Sequence, residues 1–278
     1  MYTFVDSGCQ NGNPVLFDMD ASRQPAPVAQ QVAGIDSSQW AAETEFFDRE
    51  ADTRTITPLS PKIVERYASH TQHWAGDFQF RVAGNLHGKR VLDVGAGTGE
   101  NSLVLAALGA KVTAVDISPR SLEVLQKRAE LSGLSGQIET TCTPLEELRS
   151  RESFDLIWVE AFLHHVLSNL DFVLGQLKSL AGPRGRVVIL EPFALSILRR
   201  VRMALPIPAN GTPGERPLNL KEVLLVQSYF PGMQSRYFLL LSRLYRFSPK
   251  AAMFAVFDER FLRLPVVKWL GGTVVLWT

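Results

Sequence analysis

From Arg90 the chain runs through a short apolar stretch, Val91-Leu92-Asp93-Val94, into Gly95-Ala96-Gly97-Thr98-Gly99, then into a segment with Leu103, Leu105 and Leu108 that stops at Gly109. A strand that turns on glycines directly into a helix is half of a βαβ unit, and it commits the chain around it to a parallel sheet. The rhythm continues. Strand two is Lys111 to Val115; Ser118 caps the next helix, Pro119 suits its first turn, and Gly133 stops it after Leu122, Leu125 and Ala129 have faced the sheet. Strand three runs from Gln137 to Cys142, and strand four from Phe154 to Val159 is apolar enough to be covered on both faces. Leu170, Val173, Leu174, Leu177 and Leu180 make a helical stripe closed by Gly182-Pro183, and strand five follows from Arg186 to Leu190. A long stretch rich in Arg, Leu and aromatic residues then precedes a last apolar run, Gly272 to Trp277. The expected fold is α/β, a Rossmann-like doubly wound sheet.

Residues 1–36 are rich in Gln, Pro, Ala, Asn and Ser without periodicity, a composition that does not offset the entropy of ordering, so a mostly disordered tail is expected. Residues 37–85 read as a helical arm or lid: Trp40, Phe46 and Phe47 fall on one helix, and Pro58-Leu59-Ser60-Pro61 begins a second through Ile63, Val64 and Tyr67. The main domain then occupies 86–278, with about 193–265 inserted as a cap. No apolar run approaches the roughly 18 residues that cross a bilayer. The N-terminus, interrupted by Asp6, Asp18 and Asp20, has no readable secretory signal, which makes a cytoplasmic location the expectation. Cys9 and Cys142 form neither a disulfide framework nor a zinc spacing, so no metal is expected. The net charge of +1 hides an asymmetry: residues 1–183 hold 15 basic and 23 acidic side chains, and 184–278 hold 14 and 5.

A glycine turn after a first strand lets backbone approach a ligand where any Cβ would collide. A dinucleotide site spaces its glycines GxGxxG and rests a pyrophosphate on the helix N-terminus. Here the spacing is GxGxG and Glu100 stands where the third glycine would be, an acid that repels a pyrophosphate and disfavours an oxidoreductase. S-adenosylmethionine (SAM) carries no phosphate; its sulfonium and ammonium groups and its ribose suit carboxylates at strand ends. Asp93, just before the glycines, can orient the turn or meet the ammonium group directly or through water, and Asp116 ends strand two where its two oxygens fit a vicinal diol.

Asp93 through Gly99, Asp116 in Val-Thr-Ala-Val-Asp-Ile-Ser, and Phe154-Asp155-Leu156-Ile157 followed by Leu163-His164-His165 resemble class I SAM-dependent methyltransferases of the small-molecule type over about residues 60–192. The resemblance implies a seven-stranded sheet, mostly parallel with an antiparallel last strand, which Gly272 to Trp277 fits. It implies SAM as cofactor and S-adenosylhomocysteine (SAH) as product, held by Asp93, Gly95, Ala96, Gly97 and Asp116. Ile117 is carried over as an adenine contact and Glu160 as part of the methionine edge at the end of strand four. The acid usually presented to adenine after strand three is Pro144 here, so Thr143, Leu145 or Glu146 would recognise the base. Tyr67 on the arm is placed to close over the methionine moiety, with helix packing as its other reading.

His164 and His165 follow strand four, and a histidine titrates near working pH, so either is a candidate base, against a role in capping or lining. Glu191, ending strand five, either meets substrate, steadying a developing cation, or orients the loop. His70, His73 and His87 lack a supporting pattern. After strand five, Arg199, Arg200 and Arg202, then Arg216, Arg236, Arg243 and Arg246, are interleaved with Phe193, Tyr229, Phe230, Tyr237 and Phe238. An aromatic pocket rimmed by arginine, with Phe193, Arg199, Arg200 and Tyr237 as substrate residues, would suit a hydrophobic, anionic small molecule; the competing readings are a solvated basic face and a contact between copies in a homo-oligomer. The basic residues are mixed with long apolar runs and no nucleic-acid reader motif is present, so nucleic acid is not expected as a partner. The expected function is thus methyl transfer to an O, N or C atom of a small molecule in specialised metabolism. Two alternatives stay open: C-methylation of a terpenoid or prenyl diphosphate, and a SAM-binding regulatory protein without turnover.

Overall fold

The computed structural model describes residues 37–69, 73–150, 153–195, 215–241 and 253–278. The tail 1–36, His70, Arg199, Arg200, Arg202, Arg243 and Arg246 lie outside the described residues.

Among the described residues seven strands form one sheet: β1 (Arg90–Val94), β2 (Lys111–Asp116), β3 (Ile138–Cys142), β4 (Phe154–Glu160), β5 (Ala181–Pro192), β6 (Gln234–Phe238) and β7 (Thr273–Trp277). Their order is β3-β2-β1-β4-β5-β7-β6. The first five are parallel, and β7 runs antiparallel between β5 and β6. Strand order reverses between β1 and β4, which opens a crevice beyond the carboxyl ends of the strands. The register brings the functional ends level: Val94 pairs with Val115 and with Val159, Asp116 with Cys142, and Glu160 with Leu190.

Alternation along the strands builds two cores. Leu92 and Val94 face one layer with α6 (Leu170–Leu180) and α7 (Leu220–Tyr229), whereas Val91 faces the other with α4 (Glu100–Ala107) and α5 (Pro119–Leu131). Trp158 and Leu174 are fully buried on opposite sides of the sheet. Each such apolar side chain stabilises by about 1.5–3 kcal/mol.

The arm precedes the sheet as α1 (Ser37–Asp52), α2 (Pro61–Ser69) and α3 (Ala75–Ala83), the last of which the sequence pattern did not reveal. The expected cap of α5 forms, with Ser118 Oγ accepting from Ser121 N at 3.0 Å. That same hydroxyl donates to Asp48 Oδ1 at 2.6 Å, and Arg120 Nε reaches Asp52 at 2.6 Å, so α1 is tied onto the start of α5 at the edge of the crevice.

The stretch expected as a cap is different in kind over its described part. α7 contributes Val223 and Val226 to the main core, and β6 completes the sheet. Phe193 and Tyr237 are therefore core residues rather than substrate contacts: they are 1% and 3% exposed, and their rings meet edge-on at 4.9 Å. Strand β6 places Tyr237 opposite Val274 of β7, which fixes its direction into the layer.

Candidate active site

A cavity of about 640 Å³ lies at the carboxyl edge of the sheet. Its floor is the glycine turn. Gly95 (φ 68°) passes so close to Phe162 that a Cβ there would sit 2.8 Å from Cδ2, and a Cβ on Gly99 (φ 84°) would be 2.1 Å from Leu125 Cδ1 of α5. The first glycine admits the loop after β4, and the last admits α5 against α4. Gly95 N and Ala96 N donate to Val115 O, and Gly97 N donates to Asp116 Oδ2 at 2.8 Å, so the end of β2 fixes the turn. Asp116 Oδ1 also accepts from Ser118 N at 2.8 Å.

Acids dominate this wall. Glu100, Asp116, Glu146 and Glu160 line the cavity, joined by Glu43 of α1; Arg54 is the basic lining residue other than the histidines among the described residues. Burial, with a smaller push from Asp93, raises the Glu160 carboxyl to about 7, while Asn101 Nδ2 donates to it at 3.1 Å. Burial likewise raises Asp93 to about 7 and lifts Asp116. Asp93 lies beneath the turn, 2% exposed, where it accepts from Ser102 Oγ at 2.6 Å.

The loop after β4 is held from behind by Glu191, which is fully buried. Its Oε1 accepts from Phe162 N at 2.8 Å and Leu163 N at 2.6 Å, and its Oε2 meets His164 Nδ1 at 2.7 Å. His164 Nε2 lies 3.3 Å from Glu215 Oε1. Burial alone would lower the His164 pKa, but Glu191 and Glu215 together outweigh it and hold it above the ordinary value. His165 has another partner: its Nδ1 is 3.2 Å from Glu43 Oε2, its carbonyl accepts from Gln39 Nε2 at 2.7 Å, and Phe47 meets its ring edge-on. Three groups, His164, His165 and Glu215, also bring one ligand atom each within 4.8 Å of one another, a spacing that could hold a metal ion.

Residues 92–189 match the family model described as a methyltransferase domain. The match runs from β1 into β5 and takes in about a third of the chain. The chain is 37% identical over 123 residues to the mitochondrial ubiquinone biosynthesis O-methyltransferase of Schizosaccharomyces pombe, covering 44% of each chain. Over 89 residues it is 44% identical to the ubiquinone biosynthesis O-methyltransferase of Methylocella silvestris, covering 32% of this chain and 34% of the relative. The chain therefore spans less than half the length of these curated relatives. Among solved structures, the DhpI–SAH complex superposes with a TM-score of 0.53 at 14% identity, covering 87% of this chain and 97% of the other, a likeness of fold.

The matched stretch and its flanks gather most of the cofactor residues expected from the sequence. Gly95, Ala96, Gly97, Asp116, Ile117, Leu145 and Glu160 all line the cavity. Asp93 is outside the lining, and of its two expected roles the geometry matches the orienting one, through Ser102 on α4. Tyr67 is also outside the lining, its ring packed at a tilt on Phe80 with a centroid distance of 4.2 Å, which is the packing alternative. Glu191 is walled off from the cavity and spends its oxygens on the loop after β4 and on His164, so it is a positioning residue. The arginine rim is not found among the described residues: Arg216 pairs with Glu222 and Arg236 with Glu259. The sequence reading missed Glu43, Gln39 and Asn101. For Asn101 a signal existed, since it opens the helix straight after the glycine turn; Glu43 carries no local signal, because its partner His165 is distant in sequence.

Proposed function

We propose that the protein transfers a methyl group from SAM to an oxygen of a small phenolic acceptor, with His165 as the general base. The observation that carries this is one cavity whose lining holds both the glycine turn with Asp116 and the His165–Glu43 pair. The donor set fits SAM: a diol acceptor in Asp116, a carboxyl for an ammonium in Glu160, and an acid, Glu100, lining the cavity beside the turn where a pyrophosphate would have to lie. When bound, SAM supplies a methyl carbon activated by its positive sulfur.

In this reading the Glu43 carboxylate, 3.2 Å from His165 Nδ1, favours the tautomer protonated on that nitrogen, which leaves Nε2 as the basic atom of the neutral ring. His165 would then take the acceptor's hydroxyl proton as that oxygen receives the methyl group that bound SAM would supply, with SAH as the product. His164 has a carboxylate at each nitrogen, which raises its pKa and lets it hold the loop. An oxygen acceptor is supported by the names of the matched relatives, and those names speak for quinone biosynthesis, a primary pathway, rather than the specialised metabolism expected from sequence. A prenyl diphosphate suits the acid-rich lining poorly.

Calorimetry with SAM, SAH and NAD, followed by radiolabelled methyl transfer to phenols, amines and prenyl diphosphates, tests this reading. Micromolar binding of SAM and SAH with label on a phenol is expected. NAD binding without SAM binding would reject the cofactor assignment, and SAM binding without transfer to any acceptor would leave a regulatory protein.

The Glu160 carboxyl adds a pH signature. With its pKa near 7 it is about half protonated in the free protein, and an ammonium beside it favours the carboxylate. Binding therefore releases a proton, and SAM affinity should rise between pH 6 and 8, by about tenfold at most. Calorimetric enthalpies in buffers of different ionisation heat check this. Buffer-independent enthalpies at pH 7, or release left intact in Glu160→Gln, would rule it out.

A further inference from the structure

Helix α8 (Met253–Phe261) and the turn after it are built inside out. The inward side holds Ala255, Asp258 and Leu262; the Asp258 oxygens accept from Leu240 N and Leu241 N at 2.9 Å each, which anchors the helix. The outward side presents Met253, Val256, Phe257, Phe261, Leu264 and Val266, with Met253 at 70% exposure and Val266 at 66%. Positions 253, 256, 257, 260, 261 and 264 share one helical face, and Phe257 and Phe261 stack at 5.3 Å. An apolar stripe of that kind on a surface marks an interaction site.

The charge beside it names the partner. Arg260 and Arg263 are exposed along this stripe, and Lys268 follows in the next turn. The segment has two acids: Asp258 is buried, and Glu259 is turned toward His73, Arg236 at 2.6 Å and Arg263 at 3.0 Å. The outward surface is thus apolar, aromatic and cationic, in the part of the chain that carries the basic excess. A second copy of this chain fits poorly, because a two-fold contact would set Arg260 and Arg263 against themselves. We infer that this face docks on an anionic phospholipid surface, lying in the plane of the headgroups with the phenylalanines inserted and the arginines at the phosphates. No described helix is long and apolar enough to cross a membrane, which agrees with a helix that lies on one.

Co-sedimentation of the full chain with vesicles of phosphatidylcholine alone, or mixed with phosphatidylglycerol, tests this. Binding to the mixed vesicles, at least on the order of tenfold stronger than to phosphatidylcholine and released by salt, is expected. Phe257→Glu with Phe261→Glu should lose it by on the order of tenfold, and Arg260→Glu with Arg263→Glu by about fivefold per cation, at unchanged thermal unfolding midpoints. Should the double glutamate variant unfold, Met253→Ser with Val266→Ser provides the milder comparison. Absence of binding by the unaltered chain, equal binding to both vesicle types, or a dimer in solution that the phenylalanine substitutions dissociate would overturn the inference.

Discussion

His165→Ala is expected to lower kcat by about 10²–10⁴-fold while leaving the affinity for SAH within about twofold. The separation follows from position. His165 is held by Glu43, Gln39 and Phe47 of α1, whereas Val115 and Asp116 hold the glycine turn, so removing the imidazole leaves the cofactor's anchors in place. His164 is poorly placed to take over, because Glu191 occupies Nδ1 at 2.7 Å and Glu215 faces Nε2 at 3.3 Å, so a carboxylate already claims each nitrogen. Glu43→Gln should lower kcat by on the order of tenfold with little change in KM, because the amide can turn its own NH₂ toward His165 Nδ1 and so unsettle the tautomer. Steady-state kinetics on whichever phenol accepts label, with calorimetry for SAH, provide both readouts. If His165→Ala keeps near-normal turnover, the base lies elsewhere or the reaction needs none; if kcat and SAH affinity fall together, the residue is structural.

Much of the fold was open to sequence reading because its signals are local. The glycine turn, the Ser118 cap and the apolar runs of β1 to β5 each declare themselves within a few residues, and the cofactor residues inherit that clarity because they sit at strand ends. What escaped depends on distant pairing. Strand β6 is a short segment, Gln-Ser-Arg-Tyr-Phe, whose strand character is supplied by β7 along the ladder from Gln234↔Trp277 to Phe238↔Thr273. Read locally, its aromatic and basic residues resemble a pocket rim, and Tyr237 was assigned there for that reason. Glu43 is the same case at the site. An acid on an arm helix has no expected role until Asp48 and Asp52 dock that helix on α5 and bring Glu43 to His165. Glu191 shows the limit of position alone: a carboxylate at the end of a central strand reads equally as a substrate contact or as an anchor for the loop, and two backbone N–H groups and a histidine claim it for the second.

Asp116→Ala should weaken SAM binding by on the order of a hundredfold, the loss expected when a carboxylate surrenders two charge-assisted hydrogen bonds to a sugar diol. The side chain has a second task that any test must separate from the first, since Oδ2 accepts from Gly97 N and Oδ1 from Ser118 N, both at 2.8 Å. Each carboxylate oxygen has two lone pairs, so anchoring the turn leaves one per oxygen to accept a hydroxyl. Asparagine is a poor control here, because its NH₂ would face one of those two N–H donors. A cycle with the ligand does better: the unaltered chain should bind SAH more tightly than 2′-deoxy-SAH by on the order of tenfold, and Asp116→Ala should bind the two alike. A variant that lost affinity yet still discriminated between the two ligands would show that Asp116 acts through the turn, and the ribose would then need another acceptor.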